Sequence, residues 1–168
     1  PSAISCSEAM RHAVACDAQG TWPADQEVAT ATLPYAERFR RRIRLTDDAG
    51  LPFLLDLERA AVLADGAGLR LADGGYIRVI AAAEEVIDIE VATARELARV
   101  AWHLGNRHVP LEIVGERSLR IAADPALAAM LAVLHVRTRP GRAPFMPEPG
   151  AYADAADGYH AADAAGHD

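Results

Sequence analysis

Between residues 86 and 139 the apolar residues change period in a fixed order, and that order limits the fold more than any other feature of the chain. VIDIEV (86–91) is rich in β-branched and aliphatic residues and has the character of a strand. In the segment that follows, Leu97, Val100, Ala101 and Leu104 recur at i, i+3, i+4 and i+7, the single apolar stripe of a helix over 93–104. Thr93 and Glu96 have the spacing of a capping box, and Gly105 is expected to close the helix as its left-handed cap. VPLEIV (109–114) and SLRIA (118–122) predict two more strands. A helix over 125–134 follows, with Asp124 as N-cap and Pro125 in the favoured first position. Its inner face is Leu127, Met130, Leu131 and Leu134, and HVRTR (135–139) predicts the last strand. The order βαββαβ is that of the ferredoxin-like unit, with helices on one side of a sheet and an open face on the other.

Ahead of it, residues 30–83 carry short strand-like runs separated by turn residues, among them Asp65-Gly66, Gly68 and Asp73-Gly74-Gly75. That spacing predicts a small all-β domain. Its strand ERFRRRIRL places arginines at 38, 40, 42 and 44 in near period-two alternation. Such a face serves either as a docking surface for an acidic partner or as a solvated edge that resists aggregation. Residues 1–29 have weak periodicity and are expected to be a loosely ordered leader, with a possible short helix from Ser7 to Cys16. Cys6, His12 and Cys16 could meet around a metal, but their spacing is not diagnostic, and incidental thiols are the simpler account. After residue 143 the chain turns to prolines, then to Ala, Asp, Gly and His; 144–168 is expected to be a flexible, disordered tail carrying His160 and His167. The expected architecture is therefore α+β: leader 1–29, all-β domain 30–83, ferredoxin-like domain 84–143 and tail.

Charge and composition narrow the chemistry. The formal net charge of −7 argues against nucleic acid as a partner. No apolar run reaches the ~20 residues of a membrane span, and the N-terminus lacks a signal-peptide core, so a cytoplasmic protein is the expectation. No GxSxG elbow, phosphate-cradling glycine loop or HExxH occurs, and the ordered histidines have no obvious base beside them. An enzyme is not expected. Metal binding fits better. His108 stands in the connection between a helix and a strand, where its imidazole is presented outward, and neutral imidazole suits Zn, Cu and Ni. A two-fold axis would double it into two nitrogens. A strand-entry histidine bonded to backbone is the competing account for His108, and a solvated helix-face residue is the competing account for His103.

WHLGNRHVPLEI resembles the signature of the urease accessory nickel metallochaperones, the UreE family. YAERFRRRIRLTDDAGLPFLLDL and LRLADGGYIRVIAA are similar to that family's N-terminal β domain, and PFMPEPGAY with a His-containing tail to its C-terminal end. The resemblance implies a homodimer with a peptide-binding-like β domain and a ferredoxin-like nickel domain. It also implies delivery of Ni2+ to urease during assembly, with Zn2+ or Cu2+ bound in vitro. The implied partners are the urease accessory GTPase and the urease apoprotein complex. His108 matches the histidine that binds metal at the dimer interface and His103 a second histidine; a mobile tail could complete the sphere through His160, His167 or Asp168. Departures are visible too. RIAADPAL lacks the extra histidines that some members carry there, and no polyhistidine run is present, which speaks for few ions per dimer rather than storage. The alternative is a urease-assembly adaptor in which protein–protein binding matters more than metal.

Overall fold

A computed structural model describes residues 10–149. The predicted leader residues 1–9 and the tail from 150 onward, with Cys6, His160 and His167, lie outside the described residues. The chain divides into two compact units, and the N-terminal one comprises residues up to Glu85 together with Arg142–Met146.

The N-terminal unit is a six-stranded sheet formed by β1 (Arg11–Asp17), β2 (Glu27–Leu33), β3 (Phe39–Thr46), β4 (Pro52–Val62), β5 (Gly68–Leu71) and β6 (Tyr76–Ala81). The strand order is β2-β6-β5-β1-β4-β3, which leaves β2 and β3 at the edges. Two expectations are corrected here. Residues 11–29 are not a loose leader, and no helix reaches Cys16: β1 lies in the middle of the sheet, parallel to β4 and antiparallel to β5. The reason is non-local. RHAVACD has little apolar pattern of its own, but Ala13 is fully buried opposite Leu55 and Leu71, a small residue between two large ones. β4 does not stop with LPFLLDL; it continues to Val62. The core is Leu45, Phe53, Leu55, Leu57, Leu63, Leu69, Ile77 and Val79 with the small Ala13 and Ala31 among them.

A nearly buried ion pair holds the far end of this sheet. Arg11 donates to Asp47 Oδ2 at 2.7 Å, and the amides of Leu51 and Ala49 donate to Oδ1 at 2.8 and 3.0 Å. Burial pushes the Asp47 carboxyl up, but Arg11 and the two amides outweigh it and hold it below its ordinary value. Asp48 is also held low: the Thr30 hydroxyl at 2.5 Å leads, burial opposes it, and the Thr32 amide and hydroxyl add to it. A carboxylate depressed in the folded state adds stability above its unfolded value, near ~3.9, and loses it as pH falls through the lower folded value. Urea unfolding of the whole protein should therefore lose stability below about pH 4. Arg11→Ala should cost about 2 kcal/mol at pH 7, less than the ~3–5 kcal/mol of a fully buried pair because Arg11 keeps 21% of its side-chain surface in solvent, and the cost should shrink as acid protonates Asp47.

Arg142–Met146 also belongs to this unit, although sequence alone assigns it to the end of the second domain and the start of the tail. Phe145 is buried, edge-on to the Tyr35 ring at 5.3 Å, and its carbonyl accepts a hydrogen bond from the buried Arg38 guanidinium. Arg142 in turn donates to Glu85 Oε1 and to the Ala83 carbonyl, each at 3.0 Å.

In the C-terminal unit the strands β7 (Ala83–Glu90), β8 (Glu112–Gly115), β9 (Ser118–Ala122) and β10 (Arg137–Pro144) form a sheet in the order β10-β7-β9-β8. With α1 (Ala94–Gly105) between β7 and β8 and α2 (Pro125–Val133) between β9 and β10, the chain has the expected βαββαβ order. Leu97, Val100, Ala101 and Leu104 of α1 and Leu127, Met130, Leu131 and Leu134 of the second helical segment all pack in one cluster with Ile87, Ile89, Leu119 and Ile121. On the other face a row of alternating charge crosses all four strands. Asp88 receives Arg120 at 2.7 Å and stands 3.9 Å from Arg139, and Arg120 stands 3.8 Å from Glu112. β10 runs past the expected end at 139 through Pro140 and Pro144, which an edge strand tolerates because one side of its backbone needs no donor. No helix among the described residues is long and apolar enough to cross a membrane.

Candidate functional site

Both helices of the C-terminal unit begin as their sequences dictate. The Thr93 hydroxyl accepts the Glu96 amide at 3.2 Å, and Glu96 returns a bond to the backbone, but to the Ala92 N–H rather than that of Thr93. Asp124 accepts the Leu127 amide at 2.9 Å.

Their ends hold the main correction. Gly105 is not the left-handed residue; it is the last residue of α1, and the chain takes positive φ three residues later, at His108 (φ 54°). Two backbone bonds define the motif. The His108 amide donates to the Gly105 carbonyl at 2.9 Å, and the Val109 amide reaches back to the Leu104 carbonyl at 3.2 Å. Together they form the paired 5→2 and 6→1 closure of a Schellman motif, with His108 at the position that glycine usually fills. Val109, next in line, packs on the core cluster that contains Leu104, the usual apolar contact of this motif. The same geometry explains why β8 starts at Glu112 and not at Val109: the first residues after the helix are committed to its cap, and Pro110 has no N–H for a ladder.

His108 is exposed. Its amide is used by the cap, while the imidazole projects from a backbone geometry that disfavours a Cβ by about 1–2 kcal/mol. His103 lies one turn earlier, half-buried, with its ring edge-on to that of Trp102 at 4.9 Å. Trp102 itself is 63% exposed, a large apolar surface beside the histidines. Arg107 donates to the His103 carbonyl at 3.1 Å, fixing the last turn from outside.

A second histidine shares the same geometry and was not singled out from sequence. His135 has φ 55°, and its amide donates to the Ala132 carbonyl at 3.1 Å at the end of α2. It lines an open hollow of about 390 Å³ with Glu90, Glu96 and Arg137. The signal was present as a repeated dipeptide, His-Val, shortly after each helix. Among the described residues no three of His, Cys, Asp or Glu come together in a way that would hold a metal ion.

Comparison with known proteins bears on what such a site is for. Residues 11–82 match the sequence model of the N-terminal domain of UreE urease accessory proteins, and 84–168 match that of the C-terminal domain. The chain belongs to the UreE family of urease accessory proteins. A urease accessory protein UreE of Beijerinckia indica is 46% identical over 142 residues, which cover 84% of this chain and 81% of the relative. The UreE of Azorhizobium caulinodans is 46% identical over 144 residues, 86% of this chain and 68% of the relative. That of Rhodopseudomonas palustris strain BisB18 is 43% identical over 151 residues, 90% and 71%. Membership is in a family of accessory proteins rather than in urease itself, and the two UreE domains meet near residue 83 in sequence.

Proposed function

We infer that this UreE protein acts in urease assembly as a nickel carrier, with His108 from two copies as its metal grip. The observation that carries the reading is the exposed, left-handed His108. A histidine costs stability where glycine would not, so its side chain has a use outside the fold. The absence of a three-residue metal cluster among the described residues favours ligands shared between chains, because a second copy related by symmetry supplies an identical imidazole. Exposed Trp102, together with Ile113 at 56% and Val114 at 47% on β8, gives this unit apolar surface of the kind that a second copy would cover. A site completed between chains is open and exchangeable, as a carrier that surrenders its ion requires, unlike a closed structural cage. In this reading Ni2+ is cargo, His103 is an auxiliary ligand, and His160 and His167 complete the sphere. The protein is not an enzyme; it meets the urease accessory GTPase and the urease apoprotein complex in the cytoplasm.

Titration of Ni2+ into the whole protein, with sedimentation to count chains, tests this. The expected result is one tightly held ion per pair of chains, with affinity that weakens in acid as protons compete for imidazole nitrogen. A monomer that binds one ion per chain, with unchanged affinity when His108 is replaced, would overturn it.

A further inference from the structure

Among the described residues only two that are not glycine have positive φ, and both are histidines, His108 and His135. Histidine enters this region more readily than most side chains, but glycine enters it without strain. His108 serves the proposed carrier site. His135 lies outside it, at the end of the other helix.

The surroundings of His135 narrow what its ring can do. It follows Leu134, the residue that closes α2, and it is exposed. The turn is held by backbone, through the His135 amide on the Ala132 carbonyl, and the ring has no hydrogen-bond or ion-pair partner among the described residues. The imidazole is therefore not needed to end the helix. The hollow that it lines brings in two carboxylates, Glu90 from the end of β7 and Glu96 from the first turn of α1. Glu96 is half-buried and fixed, its Oε2 accepting the Ala92 amide at 2.9 Å, which leaves Oε1 for a ligand. The nearby cations are already engaged: Arg137 stands 3.9 Å from Glu90, and Arg99 donates to the Leu134 carbonyl at 3.1 Å. What remains to face the hollow is one imidazole and one carboxylate oxygen. That pair of donors suits first-row transition ions, whereas Ca2+ and Mg2+ want oxygen alone.

We propose that His135 and Glu96 hold a divalent first-row transition ion in each copy of the chain, with water in the remaining positions. No third His, Cys, Asp or Glu of the described residues joins them in an arrangement that would hold a metal, so the ion is bound weakly and exchanges readily. The site lies within the C-terminal unit of one chain and adds one ion per chain to the ion shared between two copies. It does not depend on the shared site, and the two are tested apart.

The test uses the whole protein with His103, His108, His160 and His167 replaced by Ala, which removes the proposed ligands of the carrier. Ni2+ alone is the probe, because six-coordinate Ni2+ is paramagnetic and perturbs the magnetic resonance signals of amides near it. The amides of Glu90, Ala92, Glu96 and Val136 should respond first and together. Adding His135→Gly, which suits the backbone there, should abolish that response and leave the fold intact. Adding Glu96→Gln, whose amide oxygen keeps the bond to Ala92, should weaken binding at the hollow at least about tenfold, since even indirect partners of a metal are worth that much. No response at these amides, a response that survives His135→Gly, or affinity unchanged by Glu96→Gln would each overturn the proposal. None of these outcomes bears on His108, which is absent from the variant.

Discussion

His108→Gly should abolish tight nickel binding and leave the protein at least as stable as before. The two effects have separate causes. In the proposed carrier, removing the imidazole removes one nitrogen from each of the two copies that share an ion, and the fall in Ni2+ affinity should be at least about 100-fold by titration calorimetry. The fold, however, gains. At φ 54° a Cβ is crowded against the following carbonyl, and glycine relieves that strain of about 1–2 kcal/mol while giving back about 0.5–1 kcal/mol in unfolded-state entropy. Urea midpoints should rise by the equivalent of a few tenths to about 1 kcal/mol. His108→Ala keeps the strain and should lose nickel without the gain. This pair of variants separates a residue kept for the metal from one kept for the helix end: if the glycine variant unfolds more easily than wild type, the imidazole was supporting the structure, and the strain argument fails.

Phe145→Ala should be the most destabilising single change in the segment that sequence alone assigns to a flexible tail. Phe145 is 1% exposed, packs edge-on to Tyr35 and has the buried Arg38 guanidinium on its carbonyl. Truncating a buried phenylalanine costs about 3–5 kcal/mol, and here the loss falls on the N-terminal unit. Thermal unfolding followed by Tyr35 and Trp22, both in that unit, should shift downward by several degrees. An unshifted transition would mean that Phe145 is not held there in solution.

Local chemistry is what made much of this fold legible. SLRIA occupies the same residues in the chain and in the sheet, and Thr93 and Asp124 cap the helices they were assigned to, because a cap is settled within four residues. The α1 stripe and the α2 inner face were readable for the same reason. What escaped was settled at a distance or by competition. β1 is a strand because β4, some forty residues on, and β5 provide its neighbours; its own residues carry little pattern. β10 runs through Pro140, Gly141 and Pro144, residues that argue for a loop until the strand is known to be an edge. Gly105 was the obvious candidate for the left-handed position, yet the helix continues through it and the closure falls at His108. Motif likeness could single out His108 as a residue of interest, but its backbone conformation, which gives the reading its physical content, depends on where the last helical bonds form.

The return of Arg142–Met146 to the N-terminal unit also bears on how such proteins can change over time. In sequence the two family domains abut near residue 83, an inviting place to exchange halves between relatives. A crossover there would keep Tyr35 and Arg38 from one parent and take position 145 from the other. Hybrids would survive only where both parents agree on that trio, so heredity treats the chain as less divisible than its domain boundary suggests.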